Sequence, residues 1–295
     1  MARTPQVVLV TGCTTGGIGW HLAAALAARG AVVYATARRI ASMEGLAERG
    51  CRLLPLDVTK PDTIKAAVDK VIADSGRIDV VYNNAGVAVR TPALETPIAE
   101  VKAMYDVNYF GVVAVNDAVM PHMVEQRYGK IFNCGSGLGY MGLPIMSHYS
   151  AVKHAVRAYT DMLRIEVVPF GIQVCFVAPG YIQTHIGDGY ELPASSLYHA
   201  FPRLVAELAK GPFIGTTYAA ATPADKFAAA LAATVLAERI PRHYRGGHLA
   251  IVPWLASMFV PLWFYDWGFG LRYGLLPNSQ VRRPFGGSKS GKSSK

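Results

Sequence analysis

The chain alternates short runs of β-branched residues with alanine-rich stretches through most of its first 250 residues. The strand-like runs are "VVLVTG", "VVYATA", "CRLLPLDV", "IDVVYNNAG", "GKIFNCG" and "IQVCFVAPG". The helical stretches between them include "IGWHLAAALAARG", "KPDTIKAAVDKVIADSG", about 99–126, and "HYSAVKHAVRAYTDMLRIEVV". Such units form right-handed crossovers between parallel strands, and nearly continuous apolar strands indicate that helices cover both faces of the sheet. We therefore predict an α/β, Rossmann-type doubly wound parallel sheet in a single domain.

Two regions interrupt the alternation. Residues 185–222 carry glycines, prolines and scattered aromatics, and we predict that they form a substrate lobe. A last strand is predicted near "GGHLAIV", so the predicted α/β domain spans residues 1–252. Residues 253–280 follow as an apolar C-terminal extension, and 281–295 as a basic flexible tail.

The net charge of +9 is concentrated at the C-terminal end, because six Lys or Arg and no acid lie from Arg272 onward. No basic stripe follows a predicted folded element, so we expect no nucleic-acid partner. A basic tail beside an apolar segment suits an anionic lipid surface, and a solvated terminus is the alternative. The four cysteines lack metal-ligand spacing, so we expect no metal and a reducing compartment. A strand-like run from Gln6 leaves no room for a signal peptide.

The first strand runs into "TGCTTGGIG", residues 11–19, at the start of a helix. Glycines there allow the backbone to turn tightly and approach a pyrophosphate, whose charge the helix N-terminus stabilises. We therefore predict a dinucleotide site at this turn.

After the second strand, "VVYATARR" ends in Arg38 and Arg39 with no acidic residue. An arginine at this point favours a ribose 2′-phosphate, which predicts NADP(H) as the cofactor.

The motif "YSAVK" places Tyr149 and Lys153 one helical turn apart, shortly after the fifth strand. We expect the ammonium of Lys153 to lower the pKa of Tyr149 and make the phenol a usable acid or base. Ser136, at the end of that strand, would hold a substrate carbonyl oxygen toward Tyr149. A serine hydrolase would need glycines at 134 and 138 around this serine, but the chain has Cys134 and Leu138.

In order and spacing these motifs resemble the short-chain dehydrogenase/reductase family over about residues 7–251. The resemblance also rests on "LDVT", "NNAG", "VNYFG" and "PGYIQT". The usual family turn is T-G-x-x-x-G-x-G, and the present one is a residue longer, which leaves open whether Thr14, Thr15 or Gly16 meets phosphate.

The resemblance implies a role for each matching residue. Catalytic roles fall to Ser136, Tyr149, Lys153 and Asn108, the last holding a water that relays protons to Lys153. The implied cofactor contacts, besides Tyr149 and Lys153, are Gly12, Gly17, Ile18, Gly19, Arg38, Asp57, Val58, Asn84, Ile182 and Thr184. Within the family the chain looks most like the fungal branch that includes NADPH-dependent 1-acyldihydroxyacetone-phosphate reductases. That branch implies reduction of a lipophilic ketone; a secondary-metabolite dehydrogenase and a retinol- or steroid-type dehydrogenase are the alternatives.

The segment "LAIVPWLASMFVPLWFYDWGFG", residues 249–270, could as one helix extend about 33 Å, nominally enough to span a bilayer. Pro253, Pro261 and Asp266 disfavour an unbroken spanning helix. We predict short helices that make peripheral membrane contact, close over the active site, or pack against a second subunit. The corresponding location is the cytoplasmic side of the endoplasmic reticulum or of a lipid droplet.

Overall fold

The structure is a computed structural model that describes residues 5–184, 186, 192–209 and 218–276. Its first half contains β1 (Val7–Val10), α1 (Ile18–Ala27), β2 (Val32–Ala37), β3 (Arg52–Pro55), α2 (Pro61–Ser75), β4 (Val80–Asn83), α3 (Ile98–Tyr105), α4 (Gly111–Gln126) and β5 (Gly129–Cys134). Its second half contains α5 (Ser147–Glu166), β6 (Ile172–Pro179), β7 (Ile182–Gln183), α6 (Pro202–Ala209), β8 (Thr222–Pro223), α7 (Ala224–Leu236), β9 (His243–Gly246), α8 (Val252–Phe259) and α9 (Leu262–Tyr273).

Seven strands form one parallel sheet in the order β3-β2-β1-β4-β5-β6-β9. The strand order reverses between β1 and β4, which leaves a crevice at their carboxyl ends where ligands bind in such sheets. The short strands β7 and β8 form a separate parallel pair. The predicted doubly wound fold is confirmed.

Helices cover both faces of the sheet with apolar side chains. On one face α1 and α7 contribute Leu22, Leu26, Phe227 and Leu231 to a buried cluster with the strands. On the other face the cluster draws on α2, α4 and α5. Because both faces are buried, the inner strands β1 and β4 consist of buried residues throughout. The sheet is therefore a rigid platform for the loops at its carboxyl edge.

The last strand lies earlier than the sequence suggested. The prediction near "GGHLAIV" is wrong, since β9 ends at Gly246 and α8 begins at Val252. Gly247 and Leu249 have φ angles of +88° and +57°, which interrupt the extended backbone. The residues after the strand are apolar, as in a buried strand, but the left-handed turn directs them out of the sheet.

The C-terminal segment forms two short helices, as expected. Pro261 separates α8 from α9, whereas Pro253 lies in the first turn of α8, where proline is tolerated. Within the described ranges, no helix combines the length and apolar character that crossing a bilayer requires. Of the predicted substrate lobe, α6 packs against α9 and is tied to it by an ion pair between Glu207 and Arg272. Residues 185, 187–191 and 210–217 of the lobe, and the basic tail, lie outside the described residues.

Candidate active site

Ser136, Tyr149 and Lys153 meet where β5 ends and α5 begins. Ser136 caps a short 3-10 turn at Gly137–Gly139, and its Oγ accepts a 3.1 Å hydrogen bond from the N–H of Leu138. Tyr149 lies in the first turn of α5, and the Lys153 Nζ lies 5.5 Å from the centre of its ring. All three side chains are buried. The structure thus brings together the three groups that the sequence singled out.

The electrostatics of Tyr149 differ from the sequence-based expectation. Burial raises the pKa of Tyr149 well above its ordinary value, the nearby Cys134 raises it further, and a hydrogen bond with Ser136 lowers it. Burial also lowers the pKa of Lys153, whose ammonium donates a 3.1 Å hydrogen bond to the carbonyl oxygen of Cys134. Burial therefore decides the direction of the shift, and the pKa of Tyr149 is raised where the sequence predicted that it would be lowered. A lowering effect of Lys153 on this pKa stays a prediction. The phenol is held in its protonated form.

Asn108 lies in a π-helical turn, Asp106–Phe110, that joins α3 to α4. Its Nδ2 donates to the carbonyl oxygens of Val87 and Met104, both at 2.9 Å, and its Oδ1 accepts from the N–H of Val87 at 3.3 Å. A Cβ on Gly86 would lie 2.8 Å from this Oδ1 and 3.7 Å from the Lys153 Nζ. Asn108 thus fixes the chain after β4 beside Lys153. Its role in a proton relay stays a prediction.

The glycine turn is built by close approaches between β1, β4 and α1. Gly12 has a φ of +71°, and a Cβ there would lie 2.7 Å from the Ala85 Cα. A Cβ on Gly19 would lie 2.6 Å from the Asn84 Nδ2, which donates to the carbonyl oxygens of Thr11 and Gly12. Asn84 therefore locks the ends of β1 and β4 together. Gly17, the residue before α1, is less crowded, since its Cβ would meet only the carbonyl oxygen of Thr14, at 3.1 Å.

The additional residue of this turn has a definite place. The N–H and Oγ1 of Thr15 both donate to the carbonyl oxygen of Ser42, at 2.9 and 3.1 Å, in the 3-10 turn Ile40–Met43 after β2. Gly16 then turns the chain with a φ of +79°. In the described parts of the chain, the N–H groups of Gly16 and Ile18 have no hydrogen-bond partner. They form a candidate phosphate cradle at the start of α1. The sequence left open whether Thr14, Thr15 or Gly16 meets phosphate, and the bonds from Thr15 to Ser42 take the N–H of Thr15 out of that choice.

Arg38, Asp57 and Val58 lie at the opposite end of the crevice. The Asp57 Oδ1 accepts bonds from the N–H and Oγ1 of Thr59, at 3.0 and 2.8 Å. Burial alone would raise the pKa of Asp57, but these two bonds and the charges of Arg38 and Lys60 lower it. Arg38 therefore lies close to Asp57, as an adenine ribose site requires. Val58 is buried, and a Cβ on Gly111 of α4 would lie 2.7 Å from its Cγ2.

Ile182 and Thr184 follow β6 on the far side of the crevice. Ile182 is buried in β7, where a Cβ on Gly247 would come 2.3 Å from its Cδ1, and Thr184 is half-buried. Their contact with a cofactor stays a prediction.

Apolar side chains surround Tyr149. Met104, Leu138, Leu143, Met146 and Val152 form one buried cluster with it, and Phe269 of α9 packs against that cluster. Sequence reasoning missed Phe269, which lies 120 residues downstream of Tyr149. It also missed a chain of hydrogen bonds from Tyr140 through His243 to Asp161 beside this cluster. No local motif signalled either feature.

The model of the short chain dehydrogenase family matches residues 6–191, which carry the glycine turn, Ser136, Tyr149 and Lys153. The chain belongs to the short-chain dehydrogenase family. This oxidoreductase family uses nicotinamide dinucleotides.

Curated relatives of this short-chain dehydrogenase include enzymes named for lipid ketones. A 3-ketodihydrosphingosine reductase of Bacteroides thetaiotaomicron is 39% identical over 62% of this chain and 66% of its own length. An NADPH-dependent 1-acyldihydroxyacetone phosphate reductase of Schizosaccharomyces pombe is 36% identical over 68% of this chain and 71% of its own. A short-chain dehydrogenase of Penicillium ochrochloron is 34% identical over 86% of this chain and 93% of its own.

Solved structures agree with the fold. A short-chain dehydrogenase from Streptomyces avermitilis matches with a TM-score of 0.75 and 29% identity. The match covers 91% of this chain and 98% of that one, and therefore extends beyond the region of the family model.

Proposed function

We propose that this short-chain dehydrogenase is an NADPH-dependent reductase that converts a ketone of a lipophilic substrate, such as an acyl-dihydroxyacetone phosphate-like lipid, to a secondary alcohol. The observation that carries the proposal is the position of Tyr149. Its phenol lies close enough to Ser136 for that side chain to affect its pKa, and Met104, Leu138 and other apolar side chains pack with it in one buried cluster. A carbonyl beside this phenol would have its alkyl chain among apolar groups, where burial is favourable.

The residues around Tyr149 suit carbonyl reduction. NADPH, when bound, supplies the hydride. Ser136 would hold the carbonyl oxygen by a hydrogen bond, and Tyr149 would donate its proton to that oxygen. Burial raises the pKa of Tyr149, so the phenol keeps its proton at neutral pH until negative charge develops on the carbonyl oxygen of the substrate. Lys153, joined to the end of β5, would hold the nicotinamide ribose beside Tyr149.

The nucleotide crevice fits a 2′-phosphorylated cofactor. The open N–H groups of Gly16 and Ile18 at the start of α1 would bind the pyrophosphate. Arg38 is exposed after β2, beside Asp57, and would pair with the 2′-phosphate. The Schizosaccharomyces relative is named as NADPH-dependent, which supports the same choice.

A second candidate is a dehydrogenase that tailors a fungal polyketide or terpenoid. The observation behind it is the extent of the match to the Penicillium relative, which is named only as a short-chain dehydrogenase. The match covers 93% of the length of that relative, against 71% for the acyl-lipid reductase. A retinol- or steroid-type substrate would fit the same apolar wall. For each candidate we place the reaction at the cytoplasmic side of a membrane such as the endoplasmic reticulum or a lipid droplet. A homo-oligomer also stays a prediction.

The test is oxidation of NADPH and of NADH against 3-ketodihydrosphingosine, 1-acyldihydroxyacetone phosphate, a steroid ketone and a polyketide ketone. Tyr149→Phe should abolish turnover and leave NADPH binding nearly unchanged. Tyr159→Phe on the same helix is the control, because this tyrosine contacts Asn116 and lies outside the Tyr149 cluster. Retained turnover in Tyr149→Phe would overturn the proposed mechanism. Equal rates of turnover with NADH and NADPH would overturn the assignment of NADPH as the cofactor.

A further inference from the structure

Helix α9 carries aromatic side chains on two different sides. Its inner row is Tyr265, Phe269 and Tyr273, spaced four residues apart. The rings of Tyr265 and Phe269 are stacked, with centroids 6.0 Å apart, and Phe269 and Tyr273 are 6.4 Å apart. Phe269 packs against the Tyr149 cluster, and both Phe269 and Tyr273 pack against the cluster of Ile145 and Leu204. The inner side of α9 is therefore a wall of the substrate region.

The outer row of α9 is Trp263, Trp267 and Leu271, also spaced four residues apart. These side chains are 67%, 51% and 42% exposed. Leu262 and Phe264 of α9 and Leu255, Met258 and Phe259 of α8 are exposed as well. We call these eight residues the outer face. The rings of Trp263 and Trp267 both contact the ring of Phe264. Soluble monomers rarely expose large apolar patches, so such a face indicates a binding surface.

The charge of the following chain indicates what covers the outer face. The residues after α9, 277–295, carry Arg282, Arg283, Lys289, Lys292 and Lys295 and no acid. Tryptophan and phenylalanine on a short helix favour the boundary between lipid headgroups and acyl chains. A run of basic residues beside such a helix adds attraction to anionic lipids, which a second copy of this equally basic chain would not offer.

We propose that the outer face docks on an anionic lipid bilayer and that a lipophilic substrate passes from this bilayer to Tyr149 along the inner row of α9. The route rests on the proposed function, whereas the docking does not. Helix α8 also contacts the loop between β5 and α5, residues 135–146, which carries Ser136 and which we call the catalytic loop. A Cβ on Gly137, the residue after Ser136, would lie 3.1 Å from Pro253 of α8, and Arg245 stacks on Trp254 at 4.1 Å. Docking would thus hold α8 against the loop that positions Ser136.

The test is flotation of the full chain with vesicles of phosphatidylcholine alone or of equal parts phosphatidylcholine and phosphatidylserine. We expect flotation with the anionic vesicles and much less with phosphatidylcholine. The double variant Trp263→Glu/Trp267→Glu should reduce the bound fraction by about tenfold or more, since two large apolar groups no longer enter the interface. Val168→Glu is the control, because Val168 is 62% exposed in the turn after α5, away from the outer face.

Turnover separates docking from substrate delivery. The double variant should reduce a short water-soluble ketone at the wild-type rate and lose turnover of a ketone embedded in anionic vesicles. Tyr149→Phe should float like the wild type, so failure of the proposed reaction leaves the docking test intact. Equal flotation of the double variant would overturn the docking proposal. The docking proposal would also be overturned if the wild type formed a dimer in sedimentation analysis and bound no vesicles, while the double variant was a monomer. Equal turnover of the embedded ketone by the double variant and the wild type would overturn the route.

Discussion

The ammonium group of Lys153 lies 3.1 Å from the carbonyl oxygen of Cys134, the last residue of β5. This bond joins α5 to the sheet directly below Ser136 and Tyr149. Burial raises the pKa of Tyr149, and the bond from Lys153 fixes where α5 lies relative to the end of β5. The catalytic helix is therefore anchored by the same side chain that would hold the cofactor ribose.

We expect Lys153→Met to lower kcat at least about a hundredfold, because it removes an anchor of the site and a cofactor contact. The free energy of unfolding should fall by about 1–3 kcal/mol, since the buried Cys134 carbonyl loses its partner. Steady-state kinetics and urea unfolding measure both effects. Lys65→Met, at an exposed site on α2, should leave both unchanged. Wild-type kcat in Lys153→Met would refute the assignment.

Gly19→Ala should weaken both folding and cofactor binding. The new Cβ would meet the Asn84 Nδ2 at 2.6 Å and the Gly12 carbonyl oxygen at 2.7 Å, so the bonds that join β1 to β4 must shift. We expect a loss of about 1–3 kcal/mol in the free energy of unfolding and a raised Kd for NADPH. Gly17→Ala is the matched control for folding, since its Cβ meets only one atom at 3.1 Å. Equal stability of the two variants would contradict this account.

Arg38→Ser should raise the KM for NADPH about ten- to a hundredfold, because a charge-assisted contact to the 2′-phosphate is lost. The KM for NADH, which lacks that phosphate, should not rise. Arg39→Ser is the comparison, because Arg39 stands beside Arg38 and its carbonyl oxygen accepts bonds from Ser42 that the substitution keeps. If Arg39→Ser gives the larger change, the phosphate contact belongs to Arg39.

The buried thiols make the protein less stable in alkali. Burial raises the pKa of Cys51 from 9.0 to about 11 and that of Cys175 from 9.0 to about 12. Below pH 9.0 the thiols are protonated in both the folded and the unfolded chain, so their contribution to the free energy of unfolding is fully present. Above it the unfolded chain loses protons that the folded chain keeps. As the pH rises above 9.0 toward the folded pKa values, the free energy of unfolding should therefore fall with a slope that approaches about 1.4 kcal/mol per pH unit for each thiol.

Urea unfolding with a reductant, from neutral pH to about pH 10, tests this slope. Cys175→Ala should remove the contribution of one thiol to the slope of the free energy of unfolding against pH. This holds whatever the substitution does to stability at neutral pH. An unchanged slope would show that Cys175 ionises equally in both states.

His243→Phe should destabilise the fold near the catalytic loop. The His243 ring lies between the Tyr140 hydroxyl, at 2.5 Å, and the Asp161 Oδ1, at 2.6 Å, and so links the loop after Ser136 to α5. Loss of both bonds should lower the free energy of unfolding by about 1–3 kcal/mol. His122→Phe on α4 is the comparison. If both substitutions lowered the free energy of unfolding equally, the bonds of His243 to Tyr140 and Asp161 would not account for the loss.

Local sequence patterns determined much of this protein. The alternation of apolar strands and alanine-rich helices was enough to predict the parallel sheet, because each periodicity suits one element. The spacing of Tyr149 and Lys153 placed both on one side of a helix, and Pro261 divided the C-terminal segment into two short helices. Glycines between strand and helix marked the turn for the nucleotide.

Only the tertiary structure decided how these parts act on one another. The pKa of Tyr149 rises because residues from α3, α5 and α9 together exclude water from it, and no local motif reports that burial. Leu249 and Ile251 resemble a strand in sequence, yet a left-handed turn takes them out of the sheet. The aromatic residues of α9 divide into an inner and an outer row only once α6 and the catalytic loop are packed beside it. Dihedral preference and spacing are local properties, whereas burial and the distance between separate elements depend on the whole packed chain.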